Sequence, residues 1–216
     1  MEKIFLDIYL NNSWADQESV SGRGSTLART DIIRIALPAL LESVGAKSLL
    51  DAPCGDFNWM RHVDLRSVEY LGADVVRELI ARNQQMYGGK GRNFVVSDIT
   101  SDDLPKADVI LCRDCFIHLS FKHTRTAIAN FKRSSSTFLL ATTHTTVRKN
   151  TDIESGGWRS VNLQLPPYNF PAPLQLITEN PELGKSLGMW RLENLYVSPN
   201  GSLAAGRLTT ELTGRG

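Results

Sequence analysis

Ser48-Leu49-Leu50-Asp51-Ala52-Pro53-Cys54-Gly55-Asp56-Phe57-Asn58-Trp59 is the stretch that decides the fold. Leu49 and Leu50, approached through Gly45-Ala46-Lys47, read as a buried strand that stops at a Pro-Cys-Gly turn. A strand that ends in small residues and feeds a helix is the ligand-cradling unit of open α/β sheets. Ligands there lie beyond the carboxyl ends of the strands. Gly55 admits close approach of backbone because no Cβ stands in the way. Asp51 places a carboxylate at the strand end. Alone, this is an ordinary strand-turn-helix, because one glycine turn is a weak sign of a ligand.

The pattern then repeats. Residues 69–74 form a second apolar run ending in Asp74, 23 positions after Asp51. That is close to the separation of about 20 residues at which an acid meets ribose hydroxyls in nucleotide-binding βαβ units. A third run, 94–98, ends in Asp98, and a fourth, 107–114, ends in Arg113 and Asp114. Four strands thus end in polar residues on one edge of one sheet.

Four segments carry a resemblance. Leu-Leu-Asp-Ala-Pro-Cys-Gly-Asp (49–56), Leu-Gly-Ala-Asp (71–74), Ser-Asp-Ile (97–99) and Val-Ile-Leu-Cys-Arg-Asp-Cys-Phe-Ile-His-Leu (109–119) occur in that order. In order and spacing they resemble the motifs of the class I S-adenosylmethionine-dependent methyltransferases, across residues 25–145 and more loosely beyond. The resemblance implies an α/β fold: a Rossmann-like, seven-stranded, mostly parallel sheet with flanking helices and a C-terminal antiparallel strand pair. It implies S-adenosyl-L-methionine as cofactor and methyl transfer as the activity. It assigns the cofactor to Asp51, Pro53, Gly55, Asp56, Asp74, Val75, Asp98, Ile99 and Arg113, with Asp74 on the ribose and Ser97-Asp98-Ile99 at the adenine. Pro53 and Phe57 stand where the family often has glycine, so the turn departs from the pattern.

The acceptor side is read from chemistry. Asp114 and His118 are four apart, and a helix starting at Cys115 would bring them to one face at the mouth of the site. His118 suits a general base for a hydroxyl or ammonium near neutral pH; its alternative is a histidine that caps and packs. His144, at the end of a strand over 137–144, is the second candidate base. Cys112 and Cys115 have the spacing of a redox pair or half a zinc site, but only one other cysteine exists to complete it. They are assigned to packing, and no metal is assigned.

Bulk properties fit a soluble enzyme. The chain of 216 residues makes one ordinary domain, and its net charge of +1 sets up no field for nucleic acid or an anionic membrane. Its three cysteines make no disulfide framework, and no apolar run is long enough to span a bilayer. The expected location is cytoplasmic, and the expected partner is a small-molecule or sugar acceptor, because no charged track is visible.

Around the motifs, residues 3–14 read as an amphipathic helix, and 18–25 as a polar loop holding Gly22-Arg23-Gly24. Composition makes this loop a flexible linker; the alternative is a lid whose Arg23 meets an anionic group. A helix runs from residue 25 or 30 to 44, kinked or split at Pro38 and stopped at Gly45. Further helices are expected over 58–63, with N-terminal amides facing the cofactor, over 75–87 and over 122–133. Residues 145–173 form a proline-rich insertion in which Trp158, Tyr168 and Phe170, near Arg159 and Asn162, either wall a substrate pocket or only cover the sheet. Strands at 174–177 and 189–192 complete the antiparallel pair. The expected division is 1–24 as helix and loop, 25–196 as the catalytic domain, and 197–216 as a disordered tail. Two other functions share these features: a silent domain that only binds S-adenosylmethionine, and a nicotinamide-dependent oxidoreductase, which Pro53 disfavours by withholding an amide donor.

Overall fold

The computed structural model describes residues 1–195; the expected tail lies outside the described residues. In chain order the elements are α1 (Glu2–Leu10), α2 (Leu27–Ser43), β1 (Ser48–Asp51), β2 (Glu69–Asp74), α3 (Arg77–Tyr87), β3 (Arg92–Val96), β4 (Val109–Cys112), α4 (Phe121–Arg133), β5 (Phe138–His144), β6 (Gln175–Asn180) and β7 (Lys185–Arg191). They build one sheet of seven strands in the order β3-β2-β1-β4-β5-β7-β6. β1 to β5 pair in parallel, and β7 pairs antiparallel with both β5 and β6. β1 and β4 are central, so their side chains are buried on both faces. That is why their sequences are apolar runs without alternation.

The pleat sends alternate residues to opposite faces. Leu49, Val109, Leu111 and Leu140 pack on one face with Ile33, Leu37 and Leu41 of α2 and with Phe57, Tyr70 and Phe94. Leu50, Ile110, Cys112 and Leu139 pack on the other with Ile128 and Phe131 of α4 and with Tyr168, Phe170 and Trp190. Each fully buried side chain of this size contributes about 1.5–3 kcal/mol. Cys54, Cys112 and Cys115 are all buried and free. No helix among the described residues is long and apolar enough to cross a membrane.

Of the kink or split expected at Pro38, the split does not occur: α2 runs unbroken for 17 residues. Ile33, Leu37, Leu40 and Leu41 bury one stripe on both sides of the proline. Their burial outweighs the cost of about 3 kcal/mol for a proline in a helix interior. The helix expected over 58–63 is only a 3₁₀ turn, Met60–His62. Phe57 precedes it with φ of 59°, a left-handed backbone that diverts the chain, and its ring is locked among Tyr70, Tyr87 and Phe94. Other shifts are small. β3 ends at Val96, leaving Asp98 in the loop beyond, and β6 and β7 are longer than expected.

The insertion contains no helix or strand between β5 and β6, yet it is packed. Val161, Leu163, Tyr168 and Phe170 are buried in the core, whereas Trp158 is 65% exposed. Tyr168 and Phe170 therefore cover the sheet.

Candidate active site

A cleft opens at the carboxyl ends of β1, β2 and β4. It holds about 1040 Å³ of empty space with its open mouth included. Asp51, Pro53, Gly55, Asp74, Val75, Asp98, Ile99, Arg113, Asp114 and His118 all line it. Asp56 and His144 do not.

On the β1–β2 side the site is a set of oriented acids. Gly55 N and Val76 N each donate to Asp74, to Oδ2 and Oδ1 respectively, at 3.1 Å. An ionised carboxylate offers about four lone-pair positions, so Asp74 keeps acceptor capacity beside the cavity. Burial raises its pKa, opposed by those same amide donors. Asp51 is also buried, and Tyr70 Oη donates to its Oδ2 at 2.7 Å. Burial pushes Asp51 up to about 7, helped by the charge of Asp74 and opposed by the Tyr70 hydrogen bond and by Arg113. Asp98 Oδ1 accepts from Thr100 N at 2.8 Å and from Thr100 Oγ1 at 2.6 Å.

Gly55 has φ of +55°, and a Cβ there would come within 2.3 Å of Ser21 Oγ. The residue on the other side of that contact belongs to the N-terminal loop. Ser21 Oγ accepts from Asp56 N at 2.9 Å, Ser19 Oγ donates to Asp56 Oδ2 at 2.8 Å, and Asn58 Nδ2 donates to Glu18 Oε1 at 2.8 Å. These bonds tie the loop to the turn after β1 and explain why Asp56 faces away from the cleft. Phe5, Tyr9 and Trp14 line the cleft from the same N-terminal side. Arg23 is exposed and does not line it.

Beyond β4 lies an ion network. Arg113 is buried, donates from Nη2 to Glu179 Oε2 at 2.6 Å and to Gly24 O at 2.8 Å, and stacks over Trp59 at 5.3 Å. Lys185 Nζ donates to Asp114 Oδ2 at 2.6 Å, and Arg113 Nη1 lies 3.3 Å from the same oxygen. Burial alone would raise the Asp114 pKa, but Arg113 and Lys185 overcome it and hold the carboxyl well below the usual range. A carboxylate held that low is a poor proton acceptor. Asp114 also adopts φ of 50°, fixed by Thr142 Oγ1, which accepts from Asp114 N at 2.8 Å.

The helix expected at Cys115 is a 3₁₀ turn, Phe116–His118, yet Asp114 and His118 still share the cleft. His118 Nδ1 lies 2.8 Å from Gly157 O. A carbonyl can only accept, so the neutral ring carries its proton on Nδ1 and leaves a lone pair on Nε2. Burial lowers the His118 pKa, against the opposing pull of Gly157 O and Asp114. The ring stacks on Trp14 with centroids 5.0 Å apart. His144 is instead buried under the insertion, its Nδ1 lying 3.3 Å from Val161 N and 3.4 Å from Val161 O.

Among solved structures, TnmH aligns with a TM-score of 0.57 at 14% identity over 74% of this chain and 54% of TnmH, about half its length. Magnesium protoporphyrin IX methyltransferase from Synechocystis PCC 6803, with bound SAH, aligns at 0.51 and 13% identity over 68% of this chain and 74% of its own. N-methyltransferase NodS from Bradyrhizobium japonicum WM9, in complex with S-adenosyl-L-homocysteine, aligns at 0.51 and 17% identity over 62% and 72%. The chain has the class I methyltransferase fold. No protein-family model and no curated protein matches it.

Within that methyltransferase fold, sequence reasoning missed several groups at the site. Tyr70 holds Asp51, Glu179 and Lys185 complete the ion network, Trp14 faces His118, and Gly157 sets its tautomer. Trp14, an aromatic in a polar stretch, carried a faint signal. Glu179 and Lys185 carried none, because they reach Arg113 and Asp114 only through the antiparallel pairing of β6 and β7.

Proposed function

We propose that this chain is an S-adenosylmethionine-dependent methyltransferase that acts on a small-molecule acceptor and uses His118 as general base. The observation that carries the reading is that one cleft joins Asp74, with lone pairs left over after Gly55 N and Val76 N, to the His118 imidazole. A vicinal diol is the natural donor to such a carboxylate, and charge-assisted bonds of that kind are the strong ones. Val75 and Ile99 offer apolar surface for an adenine, with Asp98 beside them. Three acids, Asp51, Asp74 and Asp98, face a ligand whose sulfonium and ammonium are cationic. When bound, the cofactor supplies an electrophilic methyl group on a sulfonium that is already a good leaving group. The protein then has to align the acceptor, exclude water and take one proton. His118 Nε2 accepts that proton from an acceptor hydroxyl or ammonium. The turn after β1 favours this ligand over a dinucleotide: its chain continues into a 3₁₀ turn, whereas a pyrophosphate is served by a helix N-terminus.

Calorimetry with S-adenosylhomocysteine and with NAD tests the binding half. Saturable binding of the first and none of the second is expected, and the reverse would end the reading. Incubation with methyl-labelled cofactor and fractionated small-molecule extract tests the chemistry. A labelled product is expected; a protein that binds the cofactor and labels nothing is a silent domain.

A further inference from the structure

Arg159 lies in the insertion, is 5% exposed, and takes part in none of the ion pairs among the described residues. A buried charge without a counter-ion is costly, so what its guanidinium touches matters. Nη1 donates to Leu119 O at 2.6 Å, and Nη2 donates to Tyr168 Oη at 2.8 Å. The guanidinium carbon sits over the Phe121 ring at 5.1 Å, and Nε has no partner. The main chain of the same segment continues the grip. Arg159 N donates to Ile117 O at 3.0 Å, and Gly156 N donates to His118 O at 2.9 Å. Three consecutive carbonyls, those of Ile117, His118 and Leu119, are therefore all held by residues 156–159. The side chain of the middle one is held too, through Gly157 O.

We propose that Arg159 is the positioning residue of the acceptor site, bracketing the His118 turn so that the imidazole faces the cleft in its Nδ1-protonated form. The inference rests on the assignment of His118 as the base. Only a long, forked donor reaches Leu119 O and Tyr168 Oη together, which a lysine cannot do. Charge works in the same direction. The charged groups facing His118 are Asp114 after β4, Lys185 of β7 and Arg159 of the insertion, while the N-terminal segment presents the uncharged Trp14 ring. Asp114 favours the imidazolium, and the two cations oppose it.

Two-bond ¹H–¹⁵N spectra of the four histidines of the full chain, taken across pH, read tautomer and titration without any acceptor. In Arg159→Gln, His118 should titrate at higher pH and lose its single tautomer. Turnover should fall about ten- to a hundredfold, the scale expected for a misplaced catalytic group, with S-adenosylhomocysteine affinity unchanged. Arg159→Lys should keep the titration near that of the parent, because the charge stays, and still lose turnover, because the fork is gone. Tyr168→Phe removes one acceptor with the ring retained, and it carries the test if Arg159→Gln does not fold: a mixed His118 tautomer supports the bracket, and an unaltered one counts against it. An unmoved titration and a single tautomer in Arg159→Gln overturn the proposal. Full turnover in His118→Ala would instead remove the base on which it rests, while the spectra still report on the bracket itself.

Discussion

Gly55 N donates to Asp74 Oδ2 at 3.1 Å, so the turn after β1 is built around the acid that ends β2. The two residues are 19 apart in sequence and meet because β1 and β2 pair in parallel, with Asp51 opposite Gly72. Asp74 therefore has two tasks, holding the turn and facing the cleft, and a substitution should reveal both.

Asp74→Ala should weaken S-adenosylmethionine binding about ten- to a hundredfold. It should also destabilise the fold by about 1–3 kcal/mol, since it strips the buried Val76 amide and the half-buried Gly55 amide of their acceptor. Asp74→Asn keeps one oxygen and should recover most of the stability but not the affinity. Calorimetry and denaturant melts on both variants measure the split; unaltered affinity in both would reduce Asp74 to a turn-holding residue.

His118→Ala should leave cofactor affinity within about twofold and lower turnover by roughly 10²–10⁴-fold, the usual share of a general base. The pH–rate profile should fall on the acid side as His118 becomes protonated. Because burial lowers its pKa, that limb should lie below the ordinary histidine value of about 6.5, and it should vanish in the variant. His144→Ala, at a residue that does not line the cleft, should keep the limb. A limb that survives His118→Ala would assign the proton to another group.

Asp51 makes stability depend on pH in a defined direction. Its folded pKa is pushed from 3.8 up to about 7, so the folded state binds more protons than the unfolded state between those values. The stabilisation is complete below the unfolded pKa and is lost as pH rises toward 7. Asp51→Asn should abolish this slope and melt above the parent at pH 8. Parallel pH–stability curves for the two proteins would show that Asp51 ionises normally.

Lys185→Met should destabilise by about 1.5–3 kcal/mol, the scale for a hydrogen bond between charged groups in a half-buried pair. It leaves Asp114 with Arg113 alone. The Asp114 pKa is depressed in the folded protein, so its stabilisation is present above the unfolded carboxylate range and lost as pH falls through the folded value. The variant should therefore approach the parent's stability in strong acid, as urea melts across pH would measure. A constant gap at every pH would point to lost packing of the lysine stem.

The strands and their order of acids were legible in the sequence because each depends on local pattern. Leu49-Leu50 ending at Asp51, the run ending at Asp74 and the run ending at Asp114 are all apolar stretches stopped by polar residues, and a parallel sheet puts their ends on one edge. Asp74, Asp114 and His118 were nameable for that reason. Packing decided what pattern could not. Pro38 stays inside α2 because buried leucines flank it, and the segment after Trp59 is a 3₁₀ turn because Phe57 is locked among aromatics from β2, α3 and β3. His144 resembled a second base by strand position, but the insertion covers it. The Lys185–Asp114 pair spans 71 residues, and the Gly157 O contact that sets the His118 tautomer spans 39. Contacts of that range arise only when the whole chain is folded, because their residues share no local period, cap or turn. The acid-lined side of the cleft was thus written in short motifs, whereas the state of the His118 ring was decided by an insertion with no regular structure.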